Sequence, residues 1–495
     1  MQPTPLLPSC ETSFPSNKRI TRHVWCFHKM KTERPRHRLH SLLGSIEIES
    51  HLTVLADESA STHEHYHYLQ LISTPFGIHI ANLAWCKIFG LFHHVHEYSK
   101  EGHLRLPVPI TELGTTMPPE LTRALYSFGQ VECYKEILLG KPSVRLDDAG
   151  QFVEENLSAV HEYCRAAVAA AGGAPTKQLP VVRRFSEAEI LPRIGNLTIT
   201  GRMVLENGAY AATAGAATGS IDDWLDGVQK VAPPAHCVLL RHLQGCTESS
   251  ATALGFRFSC VQILDLCLFG NLPFPFLEGE VDWRRDHPAW RFLSCLNVLL
   301  RKTHIRKLVF NEFEDKCILG INMLCEVLSW PKPADITERI LRGGLAKHLN
   351  APFNYFTKTS SDALQLRLEQ GRALCPVLEG YRGLLHAINL FDPDSMEPGQ
   401  WEEFASSHIS NSSVSASITV PATVDAMGVH LGEQDAFEYC RMMYYASLWA
   451  SAIATGGDLL TPAALCSREQ ERVYFRHLTG FDFENVQFLR PIPHI

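Results

Sequence analysis

The sequence predicts a mainly α protein with minor β structure and a protruding insertion. Long segments repeat apolar residues at the helical period and are bounded by residues that cap helices. Only short stretches alternate apolar and polar residues as strands do. One run rich in serine and proline lies late in the chain, after most of the predicted helices. At 495 residues, with 45% hydrophobic and 20% charged side chains, the chain is long and apolar enough to bury a large core.

Two helices are predicted most strongly. The first begins at the capping residues Asp147 and Asp148 and ends at Gly172. The second begins at Asp435 and ends at Gly456, and the apolar residues on nearly all its sides indicate a buried helix. Further helices are predicted over residues 120–139, 289–303, 313–328, 335–349 and 361–371.

Short strands and loops are predicted between these helices. Residues 196–208, NLTITGRMVLENG, alternate and end in an Asn-Gly turn signal, and residues 413–421, SVSASITVP, alternate as well. The Gly/Ala-rich stretch 208–220 is predicted to be a loop. Turn residues over 390–400 and the serines of 405–417 predict an exposed, protruding element.

Charge is distributed unevenly along the chain, whose formal net charge is -8. Residues 1–40 contain only two acids, Glu11 and Glu33, and Trp25 and Phe27 lie among the basic residues. Cations interleaved with aromatic rings suit nonspecific contact with RNA, with charge on phosphates and rings on bases. The arm equally suits docking on a neighbouring subunit, or a solvated terminus. Its basic residues are Lys18, Arg19, Arg22, Lys29, Lys31, Arg34, Arg36 and Arg38.

The cysteines and the hydropathy pattern exclude several classes of protein. The 15 cysteines are odd in number and form no C-x-x-C pair, which argues against a disulfide framework and a zinc ribbon. The N-terminus has too short an apolar run for a signal peptide. The stretch 442–454 comes nearest to a membrane span and is better interpreted as a buried helix. We therefore expect a reducing compartment and no membrane partner.

One motif points to an enzyme. His63, Glu64 and His67 form H-E-x-x-H, in which two histidines one helical turn apart can hold Zn²⁺ beside a general base. Glu97 is a possible third ligand. Further histidines follow at His93, His94, His96 and His103.

Other features of the sequence count against a zinc site. Zinc peptidases normally carry apolar residues before the motif and inside it, and here polar or aromatic residues hold those places. These residues are Ser61, Thr62, His65 and Tyr66. With 24 histidines the motif can also arise by chance. We therefore interpret these histidines as surface and interface residues and predict no catalytic residue, metal ligand or cofactor. A zinc-dependent hydrolase is kept as the rival.

Other signatures of enzymes and of small-molecule sites are incomplete. Residues 138–143, LLGKPS, lack the upstream glycine and the Ser/Thr of a phosphate loop. No G-x-G-x-x-G or G-x-S-x-G is present. We expect no enzyme and no small-molecule substrate, with a cytosolic helical scaffold protein as a further alternative.

Residues 117–140, MPPELTRALYSFGQVECYKEILLG, resemble a segment of the capsid proteins of partitivirus-like double-stranded RNA viruses. The resemblance covers some two dozen residues, in a chain of similar size and helical content. It implies a structural coat that self-assembles through homodimers into an icosahedral shell around double-stranded RNA, located in the virion and the host cytoplasm. It also implies an RNA-facing basic arm (1–40), a helical shell-type domain (41–395 and 434–495) and a Ser-rich protruding insertion (396–433).

Overall fold

The fold is given by a computed structural model of the chain. The structure describes residues 37–40, 45–50, 58–98, 104–107, 119–140, 146–173, 181–182, 190–213, 219–247, 251–271, 280–343, 353–371, 416–425, 428–431, 446, 449, 450, 468–480, 482 and 486–489.

Helices dominate this described part, and the predicted mainly α class is confirmed. Numbered in chain order, the helices are α1 (Glu58–Ser73), α2 (Pro75–Tyr98), α3 (Pro119–Leu139), α4 (Leu146–Ala170), α5 (Gly201–Thr213), α6 (Ile221–Val231), α7 (Val238–Gln244), α8 (Ala253–Cys267), α9 (Trp283–Asp286), α10 (Pro288–Arg301), α11 (Thr303–Val309), α12 (Glu314–Val327), α13 (Pro333–Arg342), α14 (Phe353–Gln370) and α15 (Arg468–Thr479). A 3₁₀ turn, Pro234–His236, lies between α6 and α7.

The strands are short and form one four-stranded sheet and three pairs. They are β1 (His37–His40), β2 (Ser45–Ser50), β3 (Leu104–Pro107), β4 (Val181–Val182), β5 (Arg193–Ile194), β6 (Leu197–Thr198), β7 (Glu280–Val281), β8 (Ala416–Asp425), β9 (Gly428–Leu431) and β10 (Val486–Leu489).

One large apolar core runs through most of the helices. Helix α2 packs on α3 and α4, while α5 packs on both α1 and α8. Trp85, Trp283 and Trp449 are among the largest fully buried side chains. Because α5 is held between α1 and α8, the facing surfaces of α1 and α5 are fixed relative to each other.

Several predicted helices are confirmed with ends close to those expected. Helix α4 begins at Leu146 and ends at Ala170, and helices α3, α10 and α12 match their predicted ranges to within two residues. Helix α14 begins earlier than predicted, at Phe353. In the predicted helix after Asp435, residues 446, 449 and 450 are described and are helical.

The stretch 196–208 corrects a prediction. Only Leu197–Thr198 is strand, and the supposed Asn-Gly turn lies inside α5. The Asn207 amide nitrogen donates to the carbonyls of Met203 and Ala235, and its oxygen accepts from the Leu239 amide. Asn207 thus anchors the following chain to the helix instead of reversing its direction.

Gly208 explains why α5 continues through the predicted turn. A Cβ atom at this position would lie 2.9 Å from Nε2 of Gln70 on α1, so the glycine permits close approach of the two helices. The predicted loop 208–220 is therefore wrong over 208–213, which is helix, while 214–218 lie outside the described residues.

The four-stranded sheet joins distant parts of the chain. Its order is β1-β2-β8-β9, with antiparallel neighbours throughout. Strand β8 confirms the strand predicted over 413–421, although it begins at Ala416 and ends at Asp425. The sheet pairs the end of the predicted arm with β2, and β2 with the predicted insertion. The division into arm, shell-type domain and insertion stays a prediction.

Helix α2 is long and strongly apolar. The span Pro75–Glu97 is the one described helix that is long and apolar enough to cross a membrane, with a mean hydropathy of 1.2. Within the protein, 94% of its apolar window is buried, as is common for a core helix. Its packing against α3 and α4 accounts for this composition.

Candidate metal centre

Three side chains from two helices meet where α1 packs on α5. His63 and His67 lie one turn apart on α1, and Nε2 of one ring is 3.1 Å from Nε2 of the other. Oε2 of Glu206, on α5, lies 3.4 Å from each of these nitrogens. The three ligand atoms thus form one compact group within the described part of the chain.

The size of this triangle matches a zinc coordination shell. With zinc–ligand bonds of about 2.0–2.1 Å, neighbouring ligands of a tetrahedral ion lie about 3.3–3.4 Å apart. The observed separations of 3.1, 3.4 and 3.4 Å outline one face of such a tetrahedron. Two histidines and one glutamate form a donor set that catalytic zinc sites use. The residues present therefore fit Zn²⁺.

A hydrogen-bond chain orients the His67 ring. Nδ1 of His67 lies 2.8 Å from Oε1 of Gln70, whose amide nitrogen donates to the carbonyl of Leu205 at 3.1 Å. Because the amide oxygen of Gln70 can only accept, His67 donates through Nδ1. Nε2 then faces Glu206 as a proton donor when the ring is charged and as a metal ligand when it is neutral.

The pKa shifts of His63 and Glu206 favour the protonation states that bind a metal ion. Burial lowers the pKa of His63 to about 4, although its hydrogen bond to Glu206 opposes the shift and the charge of His67 adds to it, so at pH 7 the ring is neutral. Burial alone would raise the pKa of Glu206, but the charge of His67 and hydrogen bonds from His63 and His67 hold it well below its usual range. A carboxylate anion and a neutral imidazole are the forms that bind a metal ion.

The other oxygen of Glu206 faces α5 itself. Nε of Arg202 lies 3.4 Å from Oε1, one helical turn before the glutamate. Oε2 is the oxygen in contact with the histidines, and Oε1 is the one in contact with Arg202.

His236 and Tyr210 border the cluster. Nδ1 of His236 lies 3.4 Å from Oε2 of Glu206, and the Tyr210 ring centroid is 4.3 Å from that of His63. Burial lowers the pKa of His236. Among the described residues, the group whose ligand atoms all lie within 4.8 Å of one another comprises His63, His67 and Glu206, without His236.

The His63 ring lacks the hydrogen bond at Nδ1 that orients the His67 ring. Its Nδ1 is buried without a hydrogen-bond partner, so a metal on Nε2 would leave the ring N–H unsatisfied. Buried donors without an acceptor cost free energy, and absent outer-shell partners typically lower metal affinity 10–100-fold. The site is therefore better ordered on the His67 side.

The sequence predictions for this region have mixed outcomes. The spacing of the motif correctly places His63 and His67 on one helix face, and both rings lie in a partly buried cluster instead of on the open surface. Glu97, the suggested third ligand, is exposed at the end of α2, and Glu206 takes its place. Glu64 lies on α1, and its side chain and the whole of His103 lie outside the described residues.

The predicted RNA-facing arm lies mostly outside the described residues. Arg38 lies on β1 opposite Glu47 of β2. Outside the described residues are Lys18, Arg19, Arg22, Lys29, Lys31, Arg34 and Arg36.

Comparisons with known proteins give no family for this chain. No protein family, no curated protein and no solved structure matches it.

Proposed function

We propose that this chain binds one Zn²⁺ ion through His63, His67 and Glu206 and acts as a zinc-dependent hydrolase. The observation that carries the proposal is the ligand triangle, whose edges of 3.1–3.4 Å have the lengths of a tetrahedral face. Zinc held by three protein ligands lowers the pKa of a bound water to about 7 and polarises carbonyl groups. The His₂Glu donor set supports this chemistry.

Each residue has a defined part in the proposal. His63 would supply a neutral nitrogen, His67 would supply one after loss of its Nε2 proton, and Glu206 would supply the negative charge. Gln70 fixes the tautomer of His67 through its 2.8 Å hydrogen bond. Glu64, which follows the first ligand on α1, is the residue we propose as general base from its place in the motif.

Metal content tests the first half of the proposal. We expect about one zinc per chain after dialysis against limiting Zn²⁺, measured by elemental analysis. His67→Ala and Glu206→Gln should each lose zinc. His304→Ala is the matched control, because His304 is an exposed histidine on α11 outside the cluster. Equal zinc content in all three variants would reject the site.

The second half needs a probe of whether the bound ion keeps a coordination position for water. Co²⁺ substituted for zinc gives a visible spectrum that changes when a ligand binds, and acetohydroxamate is a small chelator of such ions. A spectral change on adding acetohydroxamate is expected for an ion with an exchangeable water. One bound Co²⁺ per chain with no change would mark a closed, structural site and reject the hydrolase. Glu64→Gln should keep the metal.

We also propose, as a second function, the self-assembling coat expected from the sequence. The specific observation that favours it is the pair of exposed apolar side chains on α12, Leu319 and Val327. Full-length chain should then elute at high mass and show closed particles with nuclease-protected RNA by negative stain. Deletion of residues 1–40 should lower RNA retention, more so at low salt, because arm contacts are electrostatic. A stable monomer would exclude the coat and favour the alternative of a cytosolic helical scaffold protein.

A further inference from the structure

Helix α12 carries apolar side chains on its outer face. Leu319 is 51% exposed and Val327 48% exposed, and the partly buried Met323 lies between them at helical spacing. The positions i, i+4 and i+8 form one stripe along the helix. The opposite face supplies the core through Cys317, Gly320, Ile321, Leu324 and Cys325. Met323 also packs against the core, whereas Leu319 and Val327 leave about half of their side-chain surface exposed to solvent.

Opposite charges lie at the two ends of this stripe. Lys316 is exposed near the start of α12, and Glu326 is exposed at its end. Each has a weak local contact: Nζ of Lys316 lies 5.0 Å from the Phe313 ring centroid, and Oε1 of Glu326 lies 3.7 Å from Nζ of Lys332. These contacts are solvent-exposed and therefore worth little, so both charges can pair elsewhere.

The stripe is complementary to itself when reversed. Lys316 and Glu326 are equally distant along the helix from Ile321, and so are Leu319 and Met323. An antiparallel copy of α12 centred at that level places a lysine opposite a glutamate twice, and leucine opposite methionine twice. A parallel copy would place like charges together.

We propose that α12 pairs with α12 of a second copy of this chain about a two-fold axis level with Ile321. Lys316 then faces Glu326 of the partner subunit, and Leu319 faces Met323 of the partner subunit. A two-fold interface uses the same patch on both copies, and this patch carries both halves of each contact. Charge complementarity thus selects a second copy as the occupant.

The pairing is independent of the zinc proposal, and it requires no closed shell. It is a dimer contact, and it persists whether or not the metal site is filled. Addition of EDTA should leave the dimer unchanged, so a failure of the metal site and a failure of the pairing are distinguishable.

Charge reversal gives the sharpest test. Dimer dissociation constants of the full chain would be measured by sedimentation equilibrium. Lys316→Glu and Glu326→Lys should each weaken the dimer about tenfold, because each creates two like-charge contacts. The double variant K316E/E326K should restore the dimer, since it exchanges the charges. A double variant as weak as the two single variants would overturn the proposal.

The apolar part of the contact is tested separately. Leu319→Asp should abolish the dimer, whereas Val231→Asp on α6, where the side chain is 65% exposed, should leave it intact. If Leu319→Asp fails to fold, the charge-reversal series still decides. A wild-type chain that stays monomeric at high micromolar concentration would overturn the proposal, and would show that the stripe has another role.

Discussion

Oε2 of Glu206 lies 3.4 Å from Nε2 of His67, although the two residues belong to helices that are far apart in the chain. The contact depends on Gly208, which lets α5 approach α1, and on Gln70, which bonds to both His67 and the backbone of α5. The pairing places an anion beside two imidazoles in a partly buried position. Burial disfavours the carboxylate anion, and the charge of His67 and hydrogen bonds from both histidines offset this cost. The same donor set suits a metal cation.

Zinc should stabilise the folded protein. A ligand that binds only the folded state adds about 2.7 kcal/mol when its free concentration is 100 times Kd. We therefore expect thermal unfolding to move to higher temperature in Zn²⁺ and back after EDTA. His67→Ala should show no zinc-dependent shift, and His304→Ala should show the full shift. An identical shift in both variants would locate the zinc elsewhere.

Gln70 should set the affinity of the site without touching the ion. Gln70→Ala removes the acceptor of His67 Nδ1, and loss of such an outer-shell partner typically lowers metal affinity 10–100-fold. Gln365→Ala, at an exposed position on α14, is the matched control. Competition titration with a chromophoric chelator measures the change. Unaltered affinity in Gln70→Ala would mean that the glutamine only packs α1 on α5.

The helices were predictable because their signals are local. Asp147 and Asp148, which lie in the first turn, and the apolar period mark the start of α4, and Pro288 marks the start of α10. The turn predicted from the Asn-Gly pair at 207–208 is wrong because tertiary contacts keep both residues in the helix. The Asn207 side chain bonds to the Ala235 carbonyl and the Leu239 amide, and Gly208 packs on α1, so the turn signal was overridden by packing.

The candidate site was predictable only in part. The spacing of His63 and His67 fixes their common helix face, since positions four apart lie one above the other. Nothing in the sequence links them to Glu206, because that contact is created by the packing of α5. The choice of Glu97 followed proximity in sequence, which does not decide proximity in the fold.

The buried ion pair between Asp265 and Arg367 should be a main contributor to the attachment of α14. Oδ2 of Asp265 accepts from Arg367 at 2.5 Å, and Arg367 also donates to Ser73 Oγ at 2.8 Å. Burial raises the pKa of Asp265, and the charge of Arg367 opposes this. Both side chains are at most 6% exposed. The pair thus ties α14 to α8 and α1.

Breaking that pair should destabilise the protein strongly. Arg367→Met leaves the Asp265 carboxylate buried without its counter-ion, and we expect a loss of about 3–5 kcal/mol by urea unfolding. The exposed pair of Arg342 with Glu338 is the control, and Arg342→Met should cost about 0–1 kcal/mol. The double variant D265L/R367M should recover part of the loss. Equal costs for the two single variants would contradict the assignment.

His161 should make the protein sensitive to acid. Burial lowers its pKa to about 3, and the charge of His79 adds to this effect. The Tyr134 ring lies beside both histidines, with centroid distances of 5.9 Å to His79 and 6.5 Å to His161. Since the unfolded chain binds the proton more readily, stability is full above a pH of about 6.5 and is lost as the pH falls toward the folded value.

The expected loss from His161 is about 2 kcal/mol between pH 7 and pH 5. His287, whose pKa burial lowers to about 4, acts in the same direction. The measurement is therefore the difference in pH dependence between wild type and His161→Phe, from urea unfolding at both pH values. We expect the variant to lose about 2 kcal/mol less than wild type, and the exposed-site variant His304→Ala to match wild type. Parallel pH profiles for wild type and His161→Phe would show that His161 binds its proton equally well in the folded and unfolded chain.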